Sequence, residues 1–510
     1  MLSTYRVLLA AYFGLGAAIV LWNIAVASRI LNVRRSPSVS TITTALAALL
    51  LVPALVVAVS AASMVYGHAI QPVAWLWPAV TVLFVMQAAA ALSRGRVGAT
   101  LGVPILAYDG IIAIVAMARY MNSIGIAPPY LSLVLSASQA DALGVVAGSA
   151  ALSHATWLLA PMFSPALPSR SRLRTTVRYV LTLGASVATA LILVELPGAS
   201  ETISSYSRYE HDVLTARTGG DFQFGLKIFP DLRGAPPPVA IVNDLQLSDS
   251  LGVDGISVVV DPEAATGKAL DSLARTIDKV RDDSTVLIVT LGYSRNARSD
   301  LNRSRAAFLG QRVADVNRLA RALRPNILVP AYEPYGEGAR ALGVRPPEFW
   351  IDFITRCAIV AHHVNPNIRI AVAAASYGAR DSVVYRWAAS RGSPVDVVGF
   401  SLMPGFDGAT SLDTHIRIAQ RWLRATPRPK PHWVLAAGGY PVAHGELSQL
   451  LALRGVLAWA TSEPAVRGVV FTDAGDYDAQ RGLRAPDGRF RPALNELVRS
   501  ITAEHESASQ

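Results

Sequence analysis

The sequence predicts two joined architectures: an α-helical membrane bundle of about six spans, then an α/β domain with the (β/α)8 TIM-barrel fold. Three observations predict this. The first 200 of the 510 residues contain no Lys and only three acids, Asp109, Asp141 and Glu195. Charged residues, 16% of the chain overall, become frequent only from about Glu201. After Asp221, short β-branched runs alternate with longer amphipathic ones, the pattern of a parallel sheet covered on both faces. The resulting boundaries are a membrane region at 1–200, a linker at 201–220 and a barrel at 221–510.

A spanning helix needs about 20 mostly apolar residues. Six stretches qualify: about 5–27, 42–66, 72–93, 97–118, 141–163 and 175–197. The first is too long for a secretory signal, and further spans follow it. Arg29, Arg34 and Arg35 follow the first span, Arg94 and Arg96 the third, and Arg170, Arg172 and Arg174 the fifth. Arginines in alternate loops place those loops in the cytoplasm. The N-terminus and everything after the sixth span then lie outside it, at an inner or plasma membrane. Tyr130 to Gly144 reads as an interfacial or re-entrant segment. Asp109 in the fourth span and His154 in the fifth read equally as functional groups or as interhelical hydrogen-bond partners. Eleven Arg against three acids give this region +8 of the chain's formal +10. The basic balance thus belongs to membrane topology, and no nucleic-acid partner is expected. The single cysteine, Cys357, excludes an intrachain disulfide and reads as a small buried apolar side chain.

Eight strand candidates order the second half: 222–229, 255–260, 285–292, 326–333, 369–376, 395–403, 432–439 and 467–474. Helical stretches follow at 263–281, 302–323, 347–364, 411–424, 443–461 and 490–503. Eight units in roughly 280 residues fit a closed barrel. An open doubly wound sheet is the alternative, but no Gly-rich dinucleotide fingerprint follows the first strand. In a barrel the chemistry sits at the C-terminal strand ends. These ends are Asp261, Tyr293, Glu333, Ser376, Met403, Gly439 with Tyr440, and Asp473. The fourth run, "NILVPAYEPYGEG" (Asn326 to Gly338), reaches Glu333 and then Pro334, which cannot continue a ladder. Glu333 therefore occupies a position suited to acid–base chemistry.

From about 221 to 503 the chain resembles the large group of (β/α)8 glycoside hydrolases with an acid/base carboxylate on strand four. Tyr332-Glu333-Pro334 looks like their Asn-Glu-Pro, which implies that Glu333 is the general acid/base. "VDVVGFSLMPGF" (395–406) is similar to their sixth-strand segment, which commonly ends in Tyr-Pro. "GGYP" (438–441) looks like the seventh-strand Glu-x-Gly-Trp-Pro, and "RGLRAPDGRFRPALNEL" (481–497) resembles their ending. Three departures stand out. Tyr332 replaces the Asn, Met403 replaces the Tyr, and the nucleophile position falls on Ala437, whose methyl cannot attack an anomeric carbon.

Retaining hydrolysis needs two carboxyl groups about 5–5.5 Å apart, and inverting hydrolysis about 6.5–9.5 Å. Asp473, on the strand beside the seventh, is the preferred substitute, with an ion pair or loop cap as the equally weighted alternative. Asp476, Asp261 and Glu446 rank behind it, and Glu337 lies one turn beyond Glu333. Tyr332, Tyr335, Tyr293, Tyr377, Tyr440, Asp261 and Asp476 are the expected substrate-binding residues. Trp433 is a further aromatic for stacking on sugar rings. His362-His363 lies on a helix away from the strand ends, and neither a metal nor an organic cofactor is expected.

The leading reading is a membrane-anchored glycoside hydrolase acting on a cell-surface or exported polysaccharide. Its expected partners are the polysaccharide, the lipid bilayer and other membrane proteins of a polysaccharide pathway. The alternative is a catalytically inactive glycan-binding barrel serving as sensor or assembly partner. A transporter with an accessory domain ranks last.

Overall fold

A computed structural model describes residues 39–61, 71–124 except 96, scattered positions from 126 to 142, 172–212, and most of the chain from 214 to 508. Within that last part 215–216, 218–219, 230–235, 283, 404–411, 427–429, 442–444 and 477–480 are outside the description.

The N-terminal region contains helices α1 (Val39–Ala61), α2 (Leu76–Ser93), α3 (Ala99–Ser123) and α4 (Arg172–Ser207). Each packs on the next, burying Leu51, Trp77, Val80, Phe84, Tyr108 and Ile112 between them. Among the described residues, three stretches are long and apolar enough to cross a membrane: Leu76–Ser93, Ala99–Met121 and Thr175–Glu201. They coincide with the third, fourth and sixth expected spans. The first span, all but one residue of the fifth, and His154 lie outside the described residues. Asp109 is fully buried in α3.

The second region is a closed barrel in the order β1 to β8, every neighbouring pair parallel. Its strands are β1 (Gln223–Lys227), β2 (Gly255–Val260), β3 (Val286–Leu291), β4 (Ile327–Val329), β5 (Arg369–Ala374), β6 (Val397–Leu402), β7 (His432–Ala437) and β8 (Val466–Phe471). The helices between them are α5 (Pro238–Leu251), α6 (Gly267–Asp278), α7 (Ala297–Arg303), α8 (Arg305–Leu323), α9 (Glu337–Leu342), α10 (Pro347–Val364), α11 (Ala379–Ala389), α12 (Leu412–Ala425) and α13 (Glu446–Ser462). Helix α14 (Pro492–Ala508) follows β8. The closed order rules out the open sheet.

Period-two alternation divides strands β3 to β8 between two cores. Val286, Ile288, Ile327, Val329, Ala371, Val397, Trp433 and Val470 fill the barrel interior. Phe224, Leu226, Val258, Leu287, Leu328, Phe400 and Phe471 face the helices. Trp433 fits inside because position 468 is glycine, where a Cβ would lie 2.7 Å from the indole. Trp433 is therefore core, and the expectation that it stacks on sugar is corrected.

The fourth strand also differs from expectation. It ends at Val329, not Glu333, because Pro330 already lacks the N–H that the ladder requires. Arg312 of α8 ties this end to its neighbour, donating to the carbonyls of Leu291 at the end of β3, of Gly292 just after it and of Pro330 after β4. Glu333 thus sits on a loop at the mouth, four residues beyond the strand.

Candidate active site

The mouth holds a cleft of about 350 Å³, including space open to solvent, lined by Tyr332, Glu333, Glu337, Ala375, Ser401, Met403, Ala436 and Arg481. Glu333 is only 6% exposed and has φ +44°, a left-handed conformation that costs a non-glycine residue about 1–3 kcal/mol. Its neighbours maintain that conformation. The Glu333 carbonyl accepts from the N–H groups of Gly336 and Gly338, each at 2.9 Å. On its other side the Tyr293 hydroxyl donates to the Tyr332 carbonyl at 3.1 Å. Gly336 leaves room for the carboxyl, since a Cβ there would lie 2.5 Å from Glu333 Oε2.

Burial pushes the Glu333 pKa above its usual 4.5, and the charge of Glu337 adds to the rise. Arg340, a hydrogen bond from Ser401 and Arg481 oppose it without reversing it. Glu337, the second carboxylate lining the cleft, pairs with Arg340 at 2.7 Å. The arrangement favours a neutral carboxyl beside a paired carboxylate, an electrostatic setting in which the buried acid can donate a proton.

Asp473 occupies different surroundings. Its Oδ2 accepts from Arg481 Nε at 2.9 Å, and its Oδ1 lies 3.3 Å from Lys227 Nζ. All three residues are buried, with Lys227 contributed by the end of β1. Asp473 does not line the cleft; Arg481 stands between the two environments, contacting the cleft and clamping Asp473. Of the two readings weighed for Asp473, this geometry matches the ion pair. Asp476 is fully buried, accepting from Gly482 N at 2.7 Å and pairing with Arg491 at 2.5 Å. Glu446 pairs with Arg489 at 2.6 Å. Asp261 packs against Gly292, and its carbonyl accepts from the N–H groups of Ala264 and Ala265. None of these three lines the cleft.

The tyrosines separate in the same way. Tyr332 lines the cleft. Tyr377 is buried, with φ +56°, its hydroxyl donating to Ser401 O at 2.9 Å and its ring stacked on His415 at 4.5 Å. Tyr440 is 1% exposed and packs with Met403 and Ala436. The Tyr335 hydroxyl donates to Arg345 O at 3.1 Å, and the ring packs on the outer core. Tyr377 and Tyr440 are thus buried against Ser401, Met403 and Ala436, which line the cleft, and this corrects the expectation that they stack on sugar. Tyr293 acts through the Tyr332 carbonyl and under the guanidinium of Arg312, 4.9 Å from its ring. His362 lies 3.3 Å from Asp396, at the opposite end of the barrel from the cleft.

At β7 the cleft-facing side chain is Ala436, not Ala437, which packs into the outer core. Register shifts along β7 move the inward position by one residue. The substitution changes nothing chemically, since both side chains are methyl groups. Sequence reading missed Ser401 and Arg481. Ser401 lay on the inward period-two series with Val397, and that signal was available. Arg481 reaches the cleft through a loop, and no periodicity marks such a residue.

No protein-family model matches the chain, and no curated protein matches it. Solved structures do. The exo-β-1,4-mannosidase Op5Man5 from Opitutaceae bacterium strain TAV5 aligns at 15% identity and TM-score 0.44, over 56% of this chain and 60% of its own. A family 39 glycoside hydrolase from Bacteroides cellulosilyticus WH2 aligns at 12% and 0.40, over 56% and 65%. A β-glucuronidase from Ruminococcus gnavus aligns at 10% and 0.41, over 57% and 52%. The chain thus spans about half to two thirds of the length of each. These neighbours are glycoside hydrolases built on a TIM-like barrel, and the strand pairing described above establishes an eight-stranded parallel barrel in this chain independently of them.

Proposed function

We propose that this chain is a membrane-anchored glycoside hydrolase-like protein in which Glu333 donates a proton to the leaving oxygen of a glycosidic bond. The observation that carries the reading is the state of Glu333: buried, favouring the neutral form, and kept in a left-handed conformation at a barrel mouth. The likeness to (β/α)8 glycoside hydrolases at Tyr332-Glu333-Pro334 supports it from the sequence side. Glu337, one turn on and lining the same cleft, is the second carboxylate of this proposal in place of Asp473. In this proposal α2, α3 and Thr175–Glu201 of α4 supply the anchor, and the barrel lies outside the cytoplasm, a placement that the arginine-bearing loops support.

One observation favours a second reading, a glycan-binding barrel without turnover. Methyl groups occupy the end of β7, and two cations neutralise Asp473. Incubating the full-length protein, in nanodiscs, with a panel of bacterial surface polysaccharides decides between them. Reducing ends released by the wild type and not by Glu333→Gln support hydrolysis. Equal binding by both proteins with no release supports the second reading, and no binding to any member of the panel rejects both.

A further inference from the structure

The connection between α4 and β1 shows from which side the apolar helices reach the barrel. Helices α12 and α13 follow β6 and β7, so each begins at the mouth and ends at the opposite floor. The connection runs along them in a definite order. Arg208 pairs at 3.3 Å with Asp413, the second residue of α12, near the mouth. One and two residues later the contacts are at mid-height of α13. The Tyr209 ring fills the space where a Cβ on Gly455 would lie 2.5 Å away, and Arg454 donates to the Glu210 carbonyl at 2.6 Å. Arg217 then donates to the carbonyls of Ala460 and Thr461 at 2.9 Å and of Glu463 at 2.6 Å, at the floor end of α13. The chain enters β1 from that floor.

Arg208, Tyr209, Glu210 and Arg217 therefore make their contacts in order from mouth to floor, and the chain before Arg208 arrives from the mouth side. That chain is α4. Its apolar stretch ends at Glu201, and Ala199 and Ile203 belong to the same buried cluster as the barrel. The seven residues from Glu201 to Ser207, the end of α4, span only about 10 Å as helix. From these contacts we propose that the barrel is held with its mouth toward the bilayer, and that its cleft takes an oligosaccharide carried on a lipid rather than a polymer free in solution. The orientation stands on the contacts alone, whereas the ligand rests on the glycan reading above. Confining enzyme and glycan to one surface raises their effective concentration without any additional contact.

Two measurements on the full-length protein test the two parts separately. Cys357 is the chain's one cysteine and is buried, so a maleimide fluorophore reports on an introduced cysteine. Ala379, the first residue of α11 at the mouth, and Arg391, two residues past its floor end, are both exposed, and the helix between them is about 15 Å long. In phosphatidylcholine vesicles containing headgroup-nitroxide lipid, the label on Ala379→Cys is expected to be quenched about twofold or more over that on Arg391→Cys, reflecting that height difference. Equal quenching, or the reverse order, overturns the orientation. Oligosaccharides prepared from the polysaccharide panel are then offered free and as phosphatidylethanolamine conjugates to protein in nanodiscs. Binding about tenfold tighter for the conjugates is expected. Equal binding of both forms overturns the lipid-carried ligand and leaves the glycan reading intact. Binding of neither form overturns the glycan reading and this ligand with it, while the quenching order still decides the orientation.

Discussion

The strand-four and strand-eight sides of the mouth each bury a carboxylate, and they treat it in opposite ways. At strand four, Glu333 is 6% exposed, and burial outweighs Arg340, Arg481 and Ser401, so the neutral form is favoured. At strand eight, Asp473 is 5% exposed, but Arg481 at 2.9 Å and Lys227 at 3.3 Å pair with it. Equal burial therefore does not produce equal chemistry. What differs is the number and distance of the cations, and this separates a group able to exchange a proton from one that holds loops together. The Arg-rich ending extends the strand-eight pattern: Arg484 pairs with Asp244 of α5, Arg489 with Glu446 of α13 and Arg491 with Asp476.

The largest expected effect breaks the comparison on the strand-four side. Glu333→Gln should lower turnover by about 10²–10⁴-fold, the usual contribution of a positioned acid, with glycan affinity unchanged. A variant that retains wild-type release of reducing ends removes Glu333 from the chemistry. On the strand-eight side, Asp473→Ala leaves two buried cations facing each other and should cost about 3–5 kcal/mol of barrel stability. Denaturant unfolding of the two variants side by side sharpens the contrast, since Glu333→Gln replaces a neutral-favouring acid with a neutral isostere and should leave stability at or above wild type. An Asp473→Ala protein as stable as wild type contradicts the clamp.

Tyr293→Phe removes one hydrogen bond to the Tyr332 carbonyl and should cost about 1 kcal/mol. Its diagnostic is a fall in kcat larger than any change in KM, because the loop carrying Glu333 loses its position. The smallest effect is in pH dependence. The folded pKa of Glu333 is raised above 4.5, so the protonated acid persists to higher pH than in the unfolded chain. Stability that is complete below 4.5 is lost as pH rises through the folded value, and turnover declines over the same interval. Ser401→Ala removes a hydrogen bond to the ionised form and should move that alkaline limb upward. A downward movement would mean that Ser401 contacts the neutral acid instead.

Much of this protein was legible in the order of its residues. The charge-poor first 200 residues and the eight apolar runs are patterns local in sequence. Burial of a strand on both faces, or a helix of membrane length, requires that composition wherever the chain goes. Glu333 was equally visible, as an acid just past a buried run. The end of β4 at Pro330 was visible too but was misassigned to Pro334, since both prolines lack the N–H and only the pairing distinguishes them. The choice between Asp473 and Glu337 as companion to Glu333 was not local. Lys227 and Arg481 reach Asp473 from the end of β1 and from a loop beyond β8, and sequence spacing does not encode such a meeting. The same holds for Ala436 replacing Ala437, where register shifts in β7 decide which methyl faces the cleft. Composition and periodicity determined the architecture because each element must bury its own apolar face. The pairing of each buried carboxylate was decided by tertiary structure, because it depends on which distant cations the closed barrel brings within a few ångströms.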